Sequence, residues 1–283
     1  MAFRLGLRLN MHLLWLRFAL GCYAVGLIYA LVALSRTTDL LSRIALHAVS
    51  LGMVFHFVSL TEAYLTSGQG QVTATSVHNS ESLLAFLIMT VFMIVYFIYQ
   101  TTSPGIIAFP LVFVLTFVAA TGQQPFLLMS PGLRKGWLLA HIALIFTGYA
   151  ALVLSFGASL AYLLQETSLK SKNPGRIFSQ LPPLQVIDEI GYRSLLLGFP
   201  FMTLGLIAGS VVAQARFGRV DLLDPKVFLS VLMWIVYLVM VYTRWNAGWR
   251  GRRAALLASF AFVVAIVAWA ANYFSGIHRF VSS

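Results

Sequence analysis

Six histidines hold most of the metal-ligating capacity of this sequence: His12, His47, His56, His78, His141 and His278. The single cysteine, Cys22, excludes an internal disulfide and any CxxC redox pair. His141 lies one turn into an apolar run, in Trp137-Leu-Leu-Ala-His141-Ile-Ala-Leu-Ile-Phe-Thr-Gly148-Tyr149. His278 follows the last apolar run, in Asn272-Tyr-Phe-Ser-Gly276-Ile-His278-Arg279-Phe280. Counting the runs between them puts both on one membrane face. Two imidazoles from different helices on one face are what bis-axial ligation of a heme iron requires. The plainer alternative is a pair of interfacial histidines, each with its ring in an apolar setting and its polar tip toward water.

His56 stands near the middle of another apolar run, His47-Ala-Val-Ser-Leu-Gly-Met-Val-Phe-His56. A buried neutral imidazole has one donor and one acceptor to satisfy, so it must face other helices or a cavity. Packing and a cofactor or pathway role both meet that need. His47 is nine residues earlier, on the opposite face of the same helix, and the two cannot share a metal. His47 therefore reads as a structural histidine with its bonds satisfied. His78 belongs to a polar stretch, Gln69 to Glu81, and reads as a solvated loop residue, while His12 precedes the first apolar run.

The elements that must position these residues follow from composition. The chain has 283 residues, of which 60% are hydrophobic and only 10% charged, and its mean hydropathy is +0.87. A soluble domain carries roughly a quarter charged residues, so lipid is the main solvent. The fold class is all-α: a polytopic bundle of about eight membrane-spanning helices at residues 13–34, 43–66, 81–99, 105–120, 136–164, 193–214, 226–244 and 252–274. The fourth is short and carries Pro110, which predicts a bent helix. Arg4, Arg8 and Arg17 before the first run resemble a signal peptide, but no cleavage site follows, so a retained first helix is expected.

The net charge of +11 does not indicate a nucleic-acid partner, because the 19 basic residues lie scattered between apolar runs. They read as topology signals. One side collects Arg36, Arg43, Lys170, Lys172, Arg176, Arg193, Arg244, Arg250, Arg252 and Arg253, and the other Arg134, Lys135, Arg216, Arg219, Lys226 and Arg279, with Arg4 and Arg8 opposing the trend. The positive-inside rule makes the first side cytoplasmic and sends both termini outward. Residues 165–192, with Asn173-Pro-Gly175 and Pro182-Pro183, read as a turn and an extended linker. Gly205-Leu-Ile-Ala-Gly209 has the GxxxG spacing of close helix packing. Asp221 and Asp224, beside Arg219 and Lys226, read as a salt-bridged loop or a helix cap. No Walker loop, HExxH, GxSxG or CxxC element is present.

The outward stretch Phe217-Gly218-Arg-Val-Asp221-Leu-Leu223-Asp224-Pro225-Lys226 is followed by Trp234, Tyr237 and Tyr242-Thr-Arg244, then by Gly248-Trp249-Arg-Gly-Arg-Arg-Ala-Ala255 and Gly276-Ile-His278. Together with His141 and Tyr149, these residues resemble the cytochrome c assembly family, which includes the heme-handling CcsA, ResC and CcmC proteins. The likeness runs from about residue 50 onward. The family pattern is WGxxWxWDPK, then W-x-x-Y and H-x-R. Phe217, Asp221 and Leu223 replace its three tryptophans, and Tyr242 replaces its intramembrane histidine. What survives is similar to the HemX-like and YpjD-like subgroup.

The resemblance implies one cytochrome c assembly-like domain over 1–283 in a bacterial inner membrane. It implies heme as cofactor, His141 and His278 as axial ligands to the iron, His56 as a second contact, and Arg279 or Arg219 against a propionate. Apocytochrome c or other assembly proteins in the membrane are the implied partners. Independent catalysis is not expected, since thioether attachment needs the reduced cysteines of an apocytochrome. Tyr242 reads as an interfacial anchor. The second reading is a regulator or scaffold of heme metabolism, or of another membrane complex, that keeps the fold without the cofactor. The lost tryptophans favour it, and the retained His141 and His278 disfavour it. A solute transporter lacks support, because neither an inverted repeat nor paired broken helices are visible.

Overall fold

A backbone in hydrocarbon must satisfy its own N–H and C=O groups, and the helix does so within one segment. A computed structural model describes residues 2–35, 39–66, 77–121, 133–171, 181–218, 220 and 222–270, and all regular structure among them is helical. The helices are α1 (Ala2–Ser35), α2 (Asp39–Thr66), α3 (Val77–Tyr99), α4 (Gly105–Thr121), α5 (Leu133–Lys170), α6 (Leu184–Phe217), α7 (Pro225–Trp245) and α8 (Arg252–Ala270). Six of them, α1, α2, α3, α5, α6 and α7, are long and apolar enough to cross a membrane. With 17 and 19 residues, α4 and α8 span less than the ~30 Å hydrocarbon core when straight. The chain is a multi-pass helical membrane protein.

Two boundaries differ from expectation. The described residues of 165–192 are mostly helix, α5 continuing to Lys170 and α6 beginning at Leu184, while the expected turn at Asn173-Pro-Gly175 lies outside the described residues. Pro183 is the N-cap of α6, with φ −52° and ψ 145°, so the proline pair starts a helix rather than extending a linker. Charges concealed this, because Asp188, Glu189 and Arg193 lower the hydropathy of the first turns of α6. Likewise α3 starts at Val77, so His78 lies in its first turn and not in a loop.

Apolar burial does not drive helices together in lipid, where small residues and close contact do. α5 packs along α6, and α1 along α2. At the α1–α2 crossing, a Cβ on Gly26 would lie 2.5 Å from Val49 Cγ2, and one on Gly52 2.8 Å from the Tyr23 ring. α8 turns Ala258, Ala261, Ala265 and Ala268 inward at helical spacing, and Phe156 of α5 stacks on Phe262 with ring centroids 4.1 Å apart. One core cluster joins α1 to α6 around Tyr23, Phe92 and Phe109. A second joins α5 to α8 around Leu152, Met202, Met233 and Tyr237. The α5–α6 pair takes part in both and is the central strut. Phe18, Ile28, Phe97, Ile207, Phe228 and Phe260 are exposed, as lipid-facing side chains must be.

Candidate functional site

The antiparallel pairing of α5 with α6 brings His141, near the start of α5, against the last turns of α6. The His141 Nδ1–H donates to the main-chain oxygen of Gly205 at 2.7 Å, and the half-buried imidazole lies over Gly209. Beneath it, a Cβ on Gly205 would stand 2.7 Å from Ile145 Cδ1, and one on Gly148 3.3 Å from Met202 Cβ. The glycine spacing read as packing therefore lies directly under the histidine.

The same end is closed by the Asp-Pro-Lys stretch. Asp224 caps α7, its Oδ1 accepting from the backbone N–H of Lys226 at 2.9 Å and of Val227 at 3.3 Å, with Pro225 preset for the first helical position. The Lys226 ammonium donates to the Ala268 carbonyl in the last turn of α8 at 2.9 Å. Deeper in the bundle, the Tyr237 hydroxyl donates to Gly148 O at 2.7 Å and Trp234 Nε1 donates to Thr203 Oγ1 at 2.9 Å. Trp234 and Tyr237 thus tie α7 to α6 and α5.

Residues 46–278 match the family described as Cytochrome C assembly protein. The chain belongs to that family. It is 29% identical over 174 residues to the cytochrome c biogenesis protein CcsA of Mesostigma viride, covering 54% of this chain and 57% of that protein. With the protein of the same name from Prochlorococcus marinus (strain AS9601) the identity is 32% over 166 residues, covering 52% of this chain and 54% of that one. In these two the chain spans about half the length of its relative. With that of Trieres chinensis the identity is 24% over 290 residues and the cover 92% of both chains.

Of the expected site residues in this cytochrome c assembly family member, His141 is placed at the close of α5 on α6, whereas His278, Arg219, Asp221 and Arg279 lie outside the described residues. Ala268, which accepts from Lys226, lies ten residues before His278 in the sequence. His56 is elsewhere. It is fully buried among α1, α2 and α3, with Nε2 2.9 Å from Ser82 Oγ and Nδ1 3.3 Å from the Tyr23 hydroxyl. One of these hydroxyls donates to the bare nitrogen and the other accepts from the ring N–H. His47 donates from Nδ1 to the Arg43 carbonyl of its own helix at 2.6 Å.

At the opposite end of the bundle lies a polar assembly that charge counting assigned to topology. Arg244 and Asp188 form a two-pronged ion pair, Nη1 to Oδ1 at 3.0 Å and Nη2 to Oδ2 at 2.5 Å, with side chains only 9% and 16% exposed. Arg244 Nη1 also donates to Trp249 O, and the Gly251 N–H donates to Asp188 Oδ1, each at 3.0 Å. The guanidinium lies 4.7 Å from the Tyr192 ring centroid. Beside this assembly opens a cleft of about 450 Å³ bounded by Ser159, Tyr162 and Thr243. Another of about 720 Å³ opens between α1, α2 and α4 at the same end. Tyr242, by contrast, points outward and is 60% exposed. Of these charges only Asp188 is not singled out by the sequence, which gives Arg244 to topology and the family pattern and Lys226 to the Asp-Pro-Lys stretch. A lone Asp on α6 at the depth of a lone Arg on α7 was the available signal.

Proposed function

We propose that this chain is a heme-binding membrane protein of cytochrome c biogenesis that holds heme at the outward face of the bacterial inner membrane. His141 and His278 are the axial ligands in this reading. The observation that carries it is the His141 end of the bundle. An imidazole is anchored there through one nitrogen, and at the same end the part-buried Lys226 reaches the helix that leads toward His278. The donor chemistry fits the group, because an imidazole held by Nδ1 keeps a lone pair for iron. When bound, heme supplies the redox-active iron that a cytochrome needs. The chain's own residues orient the ligand, and the Lys226 ammonium at the same end would be available to pair with a propionate.

Both termini face outward in this account, with apocytochrome c or other assembly proteins as partners and no independent catalysis. His56 has both nitrogens engaged by protein hydroxyls, so ligation there would break a bond to Tyr23 or Ser82, and a packing role fits it better. The regulator or scaffold reading draws on the lost tryptophans: Leu223, at a motif tryptophan position, offers no aromatic face to lay against a porphyrin and is 92% exposed. Hemin titration of the detergent-purified protein separates the two readings. The heme reading expects a Soret band that saturates at one equivalent, lost in both His141→Ala and His278→Ala and kept in His56→Ala. No Soret band in the wild type would leave the scaffold reading standing.

A further inference from the structure

We propose that Gly205 and Gly209 of α6 form a positioning platform for His141 that fixes its imidazole as the Nδ1–H tautomer and presents Nε2 as the ligating atom. Only the identity of the ligand rests on the heme-binding reading. The tautomer and its cause stand on contacts within the chain.

A carbonyl oxygen can only accept a hydrogen bond, so the 2.7 Å contact between Nδ1 and Gly205 O puts the proton on Nδ1. In the neutral ring the lone pair is then on Nε2. The Gly205 carbonyl is also the natural acceptor for the N–H of Gly209, four residues on along the helix. Its second lone pair is reachable from the side only if residue 209 has no side chain over it. A Cβ at Gly209 would lie 2.6 Å from His141 Cε1 and 2.7 Å from Nδ1, but 3.4 Å from Nε2. The Cε1–Nδ1 edge is therefore seated on the glycine, and Nε2 is the ring nitrogen farther from it.

The two glycines do different work. A Cβ at Gly205 would collide with Ile145, including its backbone N at 3.0 Å, so that glycine sets how closely α5 approaches α6. The three atoms nearest a Cβ at Gly209 all belong to the imidazole ring. The GxxxG spacing is thus the spacing between a carbonyl and the side chain that would cover it. Orienting bonds of this kind are worth about 10–100-fold in metal affinity.

The test is ¹⁵N NMR of histidine-labelled protein in detergent, without heme, with the His141 resonances assigned from their loss in His141→Gln. The expected result is Nδ1 protonated in the wild type, and a shift toward the Nε2–H tautomer in Gly209→Ala. Gly148→Ala, which crowds the same helix pair at Met202, away from the ring, should leave the tautomer unchanged. Hemin titration of Gly209→Ala should show about 10–100-fold weaker binding. An Nε2–H tautomer in the wild type would overturn the platform even if hemin bound through His141. A wild-type Nδ1–H that moves in Gly209→Ala would uphold it even if hemin did not bind and the heme reading fell. Should Gly209→Ala fail to fold, the wild-type tautomer still decides.

Discussion

Asp224 and His56 show how single polar residues stabilise a bundle that has few of them. The Asp224 cap satisfies two N–H groups at the start of α7, where water access is limited. Asp224→Ala should cost about 1 kcal/mol and Asp224→Asn less, read as a shift in thermal unfolding in detergent. His56 offers a comparable test in the first core. Ser82→Ala leaves one ring nitrogen of a fully buried imidazole without its 2.9 Å partner. The loss should be about 1 kcal/mol, in the range measured for side-chain hydrogen bonds within membranes. Hemin binding should be unchanged, because His56 lies in α2 while His141 lies in α5. A lost Soret band in Ser82→Ala would bring His56 back as a ligand.

At the scale of elements, the α6–α7 junction depends on the Asp188–Arg244 pair. Removing one partner strands the other in a setting that excludes water. Asp188→Leu should therefore destabilise by about 3–5 kcal/mol, whereas the double variant Asp188→Leu, Arg244→Met should recover most of it. A single variant as stable as the wild type would show that Arg244 reaches water and that the pair is incidental. The start of α6 also marks how far the sequence could be read. Hydropathy located the apolar middle of every helix, but it could not see Leu184–Gly191, where Asp188 and Glu189 dilute the pattern. Pro182-Pro183 could have been read as a start signal, since proline suits the first turn of a helix as well as a turn.

For the whole molecule, composition alone pointed to lipid and a helical bundle, because so few charges leave no other solvent. The site was legible only in part. His141 could be singled out by its place at the end of an apolar run, and Asp-Pro-Lys by the family pattern. What Gly205 and Gly209 do could not, since it depends on which residues of α5 and α6 face each other, and that register is a property of packing. The topology that follows from the basic residues has its own check. A reporter active only outside the cytoplasm, fused after Ser283, should be active, and one fused within residues 172–180 should be silent; the reverse pattern would invert the orientation.

The central claim is that His141 supplies a ligand to heme iron from its seat on α6. His141→Gly leaves a space where the imidazole was, and added free imidazole can enter it. The account predicts a high-spin or weakened hemin spectrum in His141→Gly that returns to the low-spin wild-type spectrum as imidazole is added, with no such return in a His278→Gly, His141→Gly double variant. A low-spin wild-type spectrum that persists unchanged in His141→Gly without imidazole would contradict it.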